Sequence, residues 1–159
     1  MLAISPAQFQ LFLWRYLPTA IWMGLRLEML DDQICTIGLR YRWRNRNPFG
    51  SVYFAAQAAA SELATGLPAF LEIRRIRDQQ ISMLVMDIQM NFLRQARGKV
   101  YFRFDQIHLV RNAILRAKGT DDAQFCELTV VGLDAQTGDQ VSTCRITWRF
   151  RRRKSQVTY

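Results

Sequence analysis

The period of the apolar residues changes several times along the chain, and each change marks an element. Behind Ser5 and Pro6, a helix cap followed by proline at the first helical position, Phe9, Phe12, Leu13, Tyr16 and Leu17 recur near helical spacing. They predict a short amphipathic helix within residues 1–18, closed by Pro18. Over residues 21–29 the period drops to two. Ile21, Met23, Leu25, Leu27 and Met29 alternate there with Trp22, Gly24, Arg26 and Glu28, which predicts a strand. Asp31 and Asp32 supply a turn. Cys35, Ile37, Leu39, Tyr41 and Trp43 then alternate with Thr36, Gly38, Arg40, Arg42 and Arg44 as a second strand, antiparallel to the first.

Alternation then stops. Asn45, Asn47, Pro48 and Gly50 make a turn that feeds an alanine-dense stretch with no helix breaker before Gly66 and Pro68. A helix that is apolar or small on every side has to be wrapped by other structure. Arg74, Arg75, Arg77 and Asp78 read as a charged connection beyond it. Period two returns with Leu84, Met86, Ile88, Met90 and Phe92 on one side of a strand. It resumes after Gly98 with Val100, Phe102 and Phe104, so that the two runs are expected to form an antiparallel hairpin. Residues 107–118 prefer helix, and 125–133 and 141–150 read as strands around a Thr137-Gly138-Asp139 turn. The order predicts an α+β fold in one domain, residues 1–159. An antiparallel sheet of about six strands curls around one long central helix, with the N-terminal helix on 1–18 and a basic C-terminal end on 149–159.

Composition narrows the chemistry. Half of the 159 residues are hydrophobic, enough for a real core. A net charge of +9 and a sequence pI near 10.2 favour anionic partners, whether nucleic acid, acidic lipid or a phosphorylated cofactor. Cys35, Cys126 and Cys144 lack the spacing of a zinc or redox motif and read as reduced core residues, so no metal is expected. The first positive residue is Arg15, unlike a secretory start. The low-charge run 52–71 carries Gln57, Glu62 and Pro68 among its alanines and reads as a buried helix, not a membrane span; a cytoplasmic location is expected.

Candidate chemistry concentrates between Asn47 and Glu62. Glu62 is a carboxylate inside an apolar helix, and burying a charge without a partner is costly, so it either finds hydrogen bonds or lines a wet cavity. An asparagine in a turn, Gly50, a helix start and an acid fifteen positions after the asparagine resemble the hotdog-fold thioesterases. The similarity is to the phenylacetyl-CoA thioesterase-like branch in particular, and to an uncharacterised bacterial family filed beside it. In that branch the helix opens with His-Gly-Gly, where this chain has Tyr53, Phe54 and Ala55. The resemblance implies a hotdog fold and hydrolysis of acyl-CoA or a related acyl thioester. It also implies a homodimer in which the acid of one subunit meets the helix start of the other, with association into a tetramer left open.

Within that frame Glu62 is the expected base or nucleophile, and Asn47 orients the water or the thioester; turn formation is the competing role for Asn47. Backbone N–H groups of Tyr53, Phe54 and Ala55, just after Gly50, would polarise the thioester carbonyl and hold its oxyanion. Met86 and Met90 are candidates for an acyl channel. Arg94 and Arg97 with Lys99, or Arg44 and Arg46, are candidates for the phosphates of coenzyme A, which enters as part of the substrate and not as a separate cofactor. Two alternatives stand beside this reading. One is a hotdog protein that binds acyl-CoA or an acidic acyl carrier protein without turnover, which the Tyr53-Phe54-Ala55 departure favours. The other is nucleic-acid binding through Arg149, Arg151, Arg152, Arg153 and Lys154 interleaved with Trp148 and Phe150. Alternation places both rings inward with Cys144 and Ile146, which disfavours nucleic acid. His108 has no recognisable partner and is given no role.

Overall fold

Ser5 starts the first helix with a reciprocal cap: its Oγ accepts the Gln8 N–H at 3.2 Å, and Gln8 Oε1 accepts the Ser5 N–H at 2.9 Å. The computed structural model describes residues 2–76 and 81–153. Arg77, Asp78 and the end of the basic tail from Lys154 therefore lie outside the described residues. Helix α1 (Pro6–Tyr16) buries Phe9 and Leu13 and leaves Leu11, Trp14 and Tyr16 in solvent.

The strand expected over 21–29 is divided. Its first part is a second helix, α2 (Pro18–Met23), and only Leu25–Leu30 is strand β1. Pro18 stands at the first helical position, and Gly24, at φ 85°, supplies the left-handed stop. The two alternating apolar residues before Gly24, Ile21 and Met23, are too few to overrule two such end signals. Strand β2 (Cys35–Arg40) returns antiparallel to β1 around Asp31, whose Oδ1 accepts the N–H groups of Gln33 and Ile34. The strand expected to reach Trp43 ends at Arg40 because buried Asn45 takes over the backbone. Its Oδ1 accepts the Arg42 N–H at 2.8 Å, and its Nδ2 donates to the carbonyls of Met23 and Arg40, each at 2.9 Å. Trp43 sits in a single 3-10 turn, Trp43–Asn45, and is exposed.

Helix α3 (Phe54–Arg75) is the predicted central helix, but it does not stop at Gly66 or Pro68. Both are buried in its interior with Leu67 between them, and the turn beyond buries Ala69 and Glu72; that packing outweighs one backbone hydrogen bond lost at proline. Arg74 and Arg75, expected in a connection, form its last turn. Glu72 is held there by Arg75 at 2.9 Å and by Arg111 Nε at 2.8 Å.

Strands β3 (Ile81–Phe92), β4 (Lys99–Phe104), β5 (Gln124–Asp134) and β6 (Gln140–Arg152) complete one antiparallel sheet in the order β1-β2-β4-β5-β6-β3. The β3–β4 hairpin expected from sequence does not form. β3 pairs with β6 at the sheet edge, and β4 inserts between β2 and β5, so residues 93–98 carry the chain across the sheet. Helix α4 (Ile107–Gly119) is present where predicted and packs on α3 and the sheet, burying Ile107, Val110, Ala113 and Ile114.

The core lies between α3 and one sheet face, which presents Ile37, Leu39, Phe102, Leu128, Ile146 and Phe150. On β3 the register slips between Val85 and Asp87, and that bulge corrects the predicted stripe. Met83 and Val85 lie opposite Phe150 and Trp148; after the slip Ile88, Met90 and Phe92 lie opposite Ile146, Cys144 and Ser142. These five share the helix-facing side. Leu84 lies opposite Arg149 on the other face, and Met86 sits at the bulge, so neither belongs to the stripe.

Candidate active site

Helix α3 carries Glu62 near its middle, with the carboxylate folded back over Gly66. A Cβ added to Gly66 would come within 2.9 Å of Glu62 Oε1 and 3.3 Å of Trp148 Cζ2, so the absence of a side chain there is what leaves room for the acid. The Trp148 ring is fixed: its Nε1–H donates to Thr65 Oγ1 at 2.9 Å, and Thr65 Oγ1 donates in turn to the Glu62 carbonyl at 2.9 Å. Sequence alternation identified Trp148 as inward-facing but carried no signal of Gly66 or Thr65 as supports.

Among the described residues the Glu62 carboxylate has neither a hydrogen-bond nor an ion-pair partner, and burial pushes its pKa up to about 7 from an ordinary 4.5. It borders a cavity of about 200 Å3 between the α1–α2 junction, at Tyr16, Pro18 and Thr19, and the α3 residues Ala59 and Leu63. An acid poised near neutrality beside a cavity has the protonation chemistry of a general base.

Asn47 is committed to its turn. Its Oδ1 accepts the N–H groups of Phe49 and Ser51 at 3.0 and 3.1 Å, and its Nδ2 donates to Ser51 Oγ at 3.0 Å. Gly50 follows at φ 73°, in the left-handed region a side chain disfavours. Of the three proposed oxyanion donors, Tyr53 already gives its N–H to the Asn45 carbonyl at 2.7 Å. Phe54 and Ala55, the first residues of α3, have no acceptor for theirs among the described residues, as expected at a helix start.

One protomer does not unite these parts. Asn47, Phe54 and Arg94 border a separate cavity of about 410 Å3, together with Ser51, Gln57 and Phe92. Gln57 is buried there, donating Nε2 to the Val52 carbonyl at 3.3 Å while its Oε1 has no partner. From Phe54 to Glu62 is eight residues of helix, about 12 Å of rise. Met90 is half-buried on the helix-facing side of β3, and Met86 is exposed; neither borders the Glu62 cavity. Arg94 pairs with Asp139, and Arg97 bonds Gln95. The cysteines are buried thiols, with Cys144 pushed up to about 11 by burial. Trp148 and Phe150 lie in the core, so these rings offer no stacking platform to nucleic acid. No helix among the described residues is long and apolar enough to cross a membrane.

A six-stranded antiparallel sheet wrapped on one long central helix is a hotdog fold. The chain belongs to the family described as Domain of unknown function (DUF4442), whose model matches residues 6–150. Its structure is similar to that of thioesterase HI1161 from Haemophilus influenzae, with TM-score 0.72 at 14% identity over 99% of this chain and 97% of that one. It is also similar to OLEI01261, of unknown function, from Chlorobaculum tepidum, with TM-score 0.77 at 12% identity over 93% and 97%. A thioesterase family protein from Silicibacter pomeroyi gives TM-score 0.63 at 16% identity over 93% and 99%. No curated protein matches the chain in sequence.

Proposed function

We propose that the protein hydrolyses an acyl thioester, acyl-CoA or an acyl-carrier-protein thioester, as a homodimer. The observation that carries this is Glu62: a carboxylate without a partner among the described residues, raised to about 7 and bordering a cavity in a hotdog fold. In the proposed step Glu62 takes a proton from a water molecule while the water oxygen attacks the thioester carbonyl carbon. The partner's free N–H groups at the start of α3 stabilise the oxyanion, then the C–S bond breaks and the thiolate is protonated. Asn47 shapes the loop that leads into the helix start, which is a positioning role. Arg94, at the rim of the cavity beside Phe54, is the better placed of the candidate phosphate contacts.

One observation favours a binder instead of an enzyme. The Tyr53 N–H is occupied by the Asn45 carbonyl, and Phe54 and Ala55 stand where the resembled branch has two glycines, so close approach of a thioester to the backbone is more hindered than in that branch. A panel of acyl-CoA and acyl-pantetheine thioesters, assayed for free thiol, tests both readings. Turnover that Glu62→Gln lowers by about a hundredfold or more supports the hydrolase. Tight binding with no thiol release from the native protein would leave only the binder.

A further inference from the structure

We propose that the trough between α1 and the C-terminal half of α3 binds a single-chain fatty carboxylate, its tail along an aromatic wall and its head on Arg15 and Arg74. The trough encloses about 510 Å3, a ligand-sized volume. Phe12, Tyr16 and Phe70 form a continuous wall, with centroids 5.1 Å apart for Phe12–Phe70, 5.4 Å for Phe12–Tyr16 and 6.0 Å for Tyr16–Phe70. Ile4, Leu11 and Leu71 extend the apolar lining, and Leu11 is 64% exposed, surface that a hydrocarbon tail would cover.

Two cations stand over that wall. The Arg15 guanidinium lies 5.6 Å from the Tyr16 ring centroid and that of Arg74 5.3 Å from the Phe70 centroid. No carboxylate lines the trough, and neither arginine has an acidic partner among the described residues, whereas nearby Arg75 and Arg111 both pair with Glu72. A neutral hydrocarbon gives no reason for two guanidiniums that have no acidic partner among the described residues, and a small anion gives none for the aromatic wall. Together they select an amphiphile with one chain and one anionic head, which a guanidinium fork grips in two-pronged fashion. The choice of carboxylate over phosphate rests on the proposed hydrolysis: the trough shares Tyr16 with the Glu62 cavity, and thioester hydrolysis releases a carboxylic acid there.

The test is calorimetric titration of the full chain with dodecanoate, below its micelle threshold. Parallel arms use dodecanol, butanoate, dodecyl phosphate and phosphatidylglycerol vesicles. Dodecanoate is expected to bind, with dodecanol and butanoate weaker by about tenfold or more. The double variant Arg15→Gln/Arg74→Gln, and separately Leu11→Glu, should each weaken dodecanoate by about tenfold without moving the melting temperature, because all three side chains are exposed. Dodecanol binding as tightly as dodecanoate, or an affinity that neither variant changes, overturns the proposal. Tighter binding of dodecyl phosphate, or capture by vesicles in place of monomeric dodecanoate, overturns the carboxylate assignment. Dodecanoate binding in a protein that releases no thiol from any thioester sinks the hydrolase reading and leaves the trough; thiol release with no dodecanoate binding does the reverse.

Discussion

Glu62→Gln removes a titrating group while keeping the side chain's shape, so its effect on stability should depend on pH in a calculable way. In the folded chain the Glu62 carboxyl titrates near 7, against an ordinary 4.5 that holds once the chain is unfolded. Between those values the folded state keeps a proton that the unfolded state has released, so stability due to this group falls as pH rises from 4.5 and levels off above 7. At about 1.4 kcal/mol per pH unit the full penalty is about 3 kcal/mol, and about 2 kcal/mol if residual water screens the half-buried carboxylate. Glutamine does not ionise and escapes it. Urea unfolding of both proteins at equal concentration should therefore give Glu62→Gln an advantage under about 0.5 kcal/mol at pH 4.5, growing to about 2–3 kcal/mol at pH 8.5. That advantage corresponds to a melting point higher by roughly 4–10 °C at the upper pH for a domain of this size. An advantage of the same size at both pH values, or a variant less stable than the native chain at pH 8.5, would refute the reasoning. Either result would mean that a donor or cation from a second copy holds the carboxylate ionised.

The same titration fixes the rate profile: if the carboxylate is the base, kcat/KM on an acyl-CoA substrate rises with pH through a midpoint near 7, and a flat profile from pH 5 to 9 excludes that role. Gly66→Ala places a Cβ 2.9 Å from Glu62 Oε1, so it should displace the flexible carboxylate and cut turnover by about tenfold or more. The helix-propensity gain of about 1 kcal/mol roughly offsets the 3.3 Å approach to Trp148, leaving chemical denaturation midpoints nearly unchanged. Trp148→Phe removes the indole N–H that Thr65 Oγ1 accepts at 2.9 Å, leaving that buried hydroxyl only its donation to the Glu62 carbonyl, and should cost about 1–3 kcal/mol by urea titration. Ile88→Lys puts a charge on the helix-facing side of the open β3 edge; light scattering should report monomer, with thiol release lost.

The long central helix and the inward set of β6 were legible because each is specified locally. Alanine density sets the first, and uninterrupted alternation from Cys144 to Phe150 sets the second. The failures came where a decisive residue acts at a distance or through a single dihedral. Asn45 ends β2 by reaching the carbonyl of Met23, a contact across twenty-two residues that no local pattern encodes. Gly24 turns apparent alternation into a helix end through one positive φ. The β3–β4 hairpin was an inference from adjacency, and insertion of β4 between β2 and β5 depends on what those strands bury. At the candidate site, Glu62 could be named because a lone acid among alanines is conspicuous. Whether Asn47 was free could not be read, since its turn consumes the oxygen and nitrogen a substrate would use.

The separation between Glu62 and the helix start argues for assembly on its own terms. The free amides of Phe54 and Ala55 point out of the N-terminal end of α3, while Glu62 sits about 12 Å further along the same helix. One helix therefore cannot aim its own first amides and its own mid-helix acid at a single carbonyl carbon. A second copy related by a two-fold axis can, because antiparallel helices lying side by side bring the start of each beside the middle of the other. β3 offers the means. Among the described residues it pairs on one side only, it runs twelve residues, and it leaves Ile88 and Phe92 at 41% and 48% exposure on its helix-facing side. Joining two such edges would extend the sheet and cover those side chains, and it would draw the two α3 helices together in the antiparallel sense that the chemistry requires. Oligomer formation and catalysis are then one prediction, and a monomer with full turnover would break it.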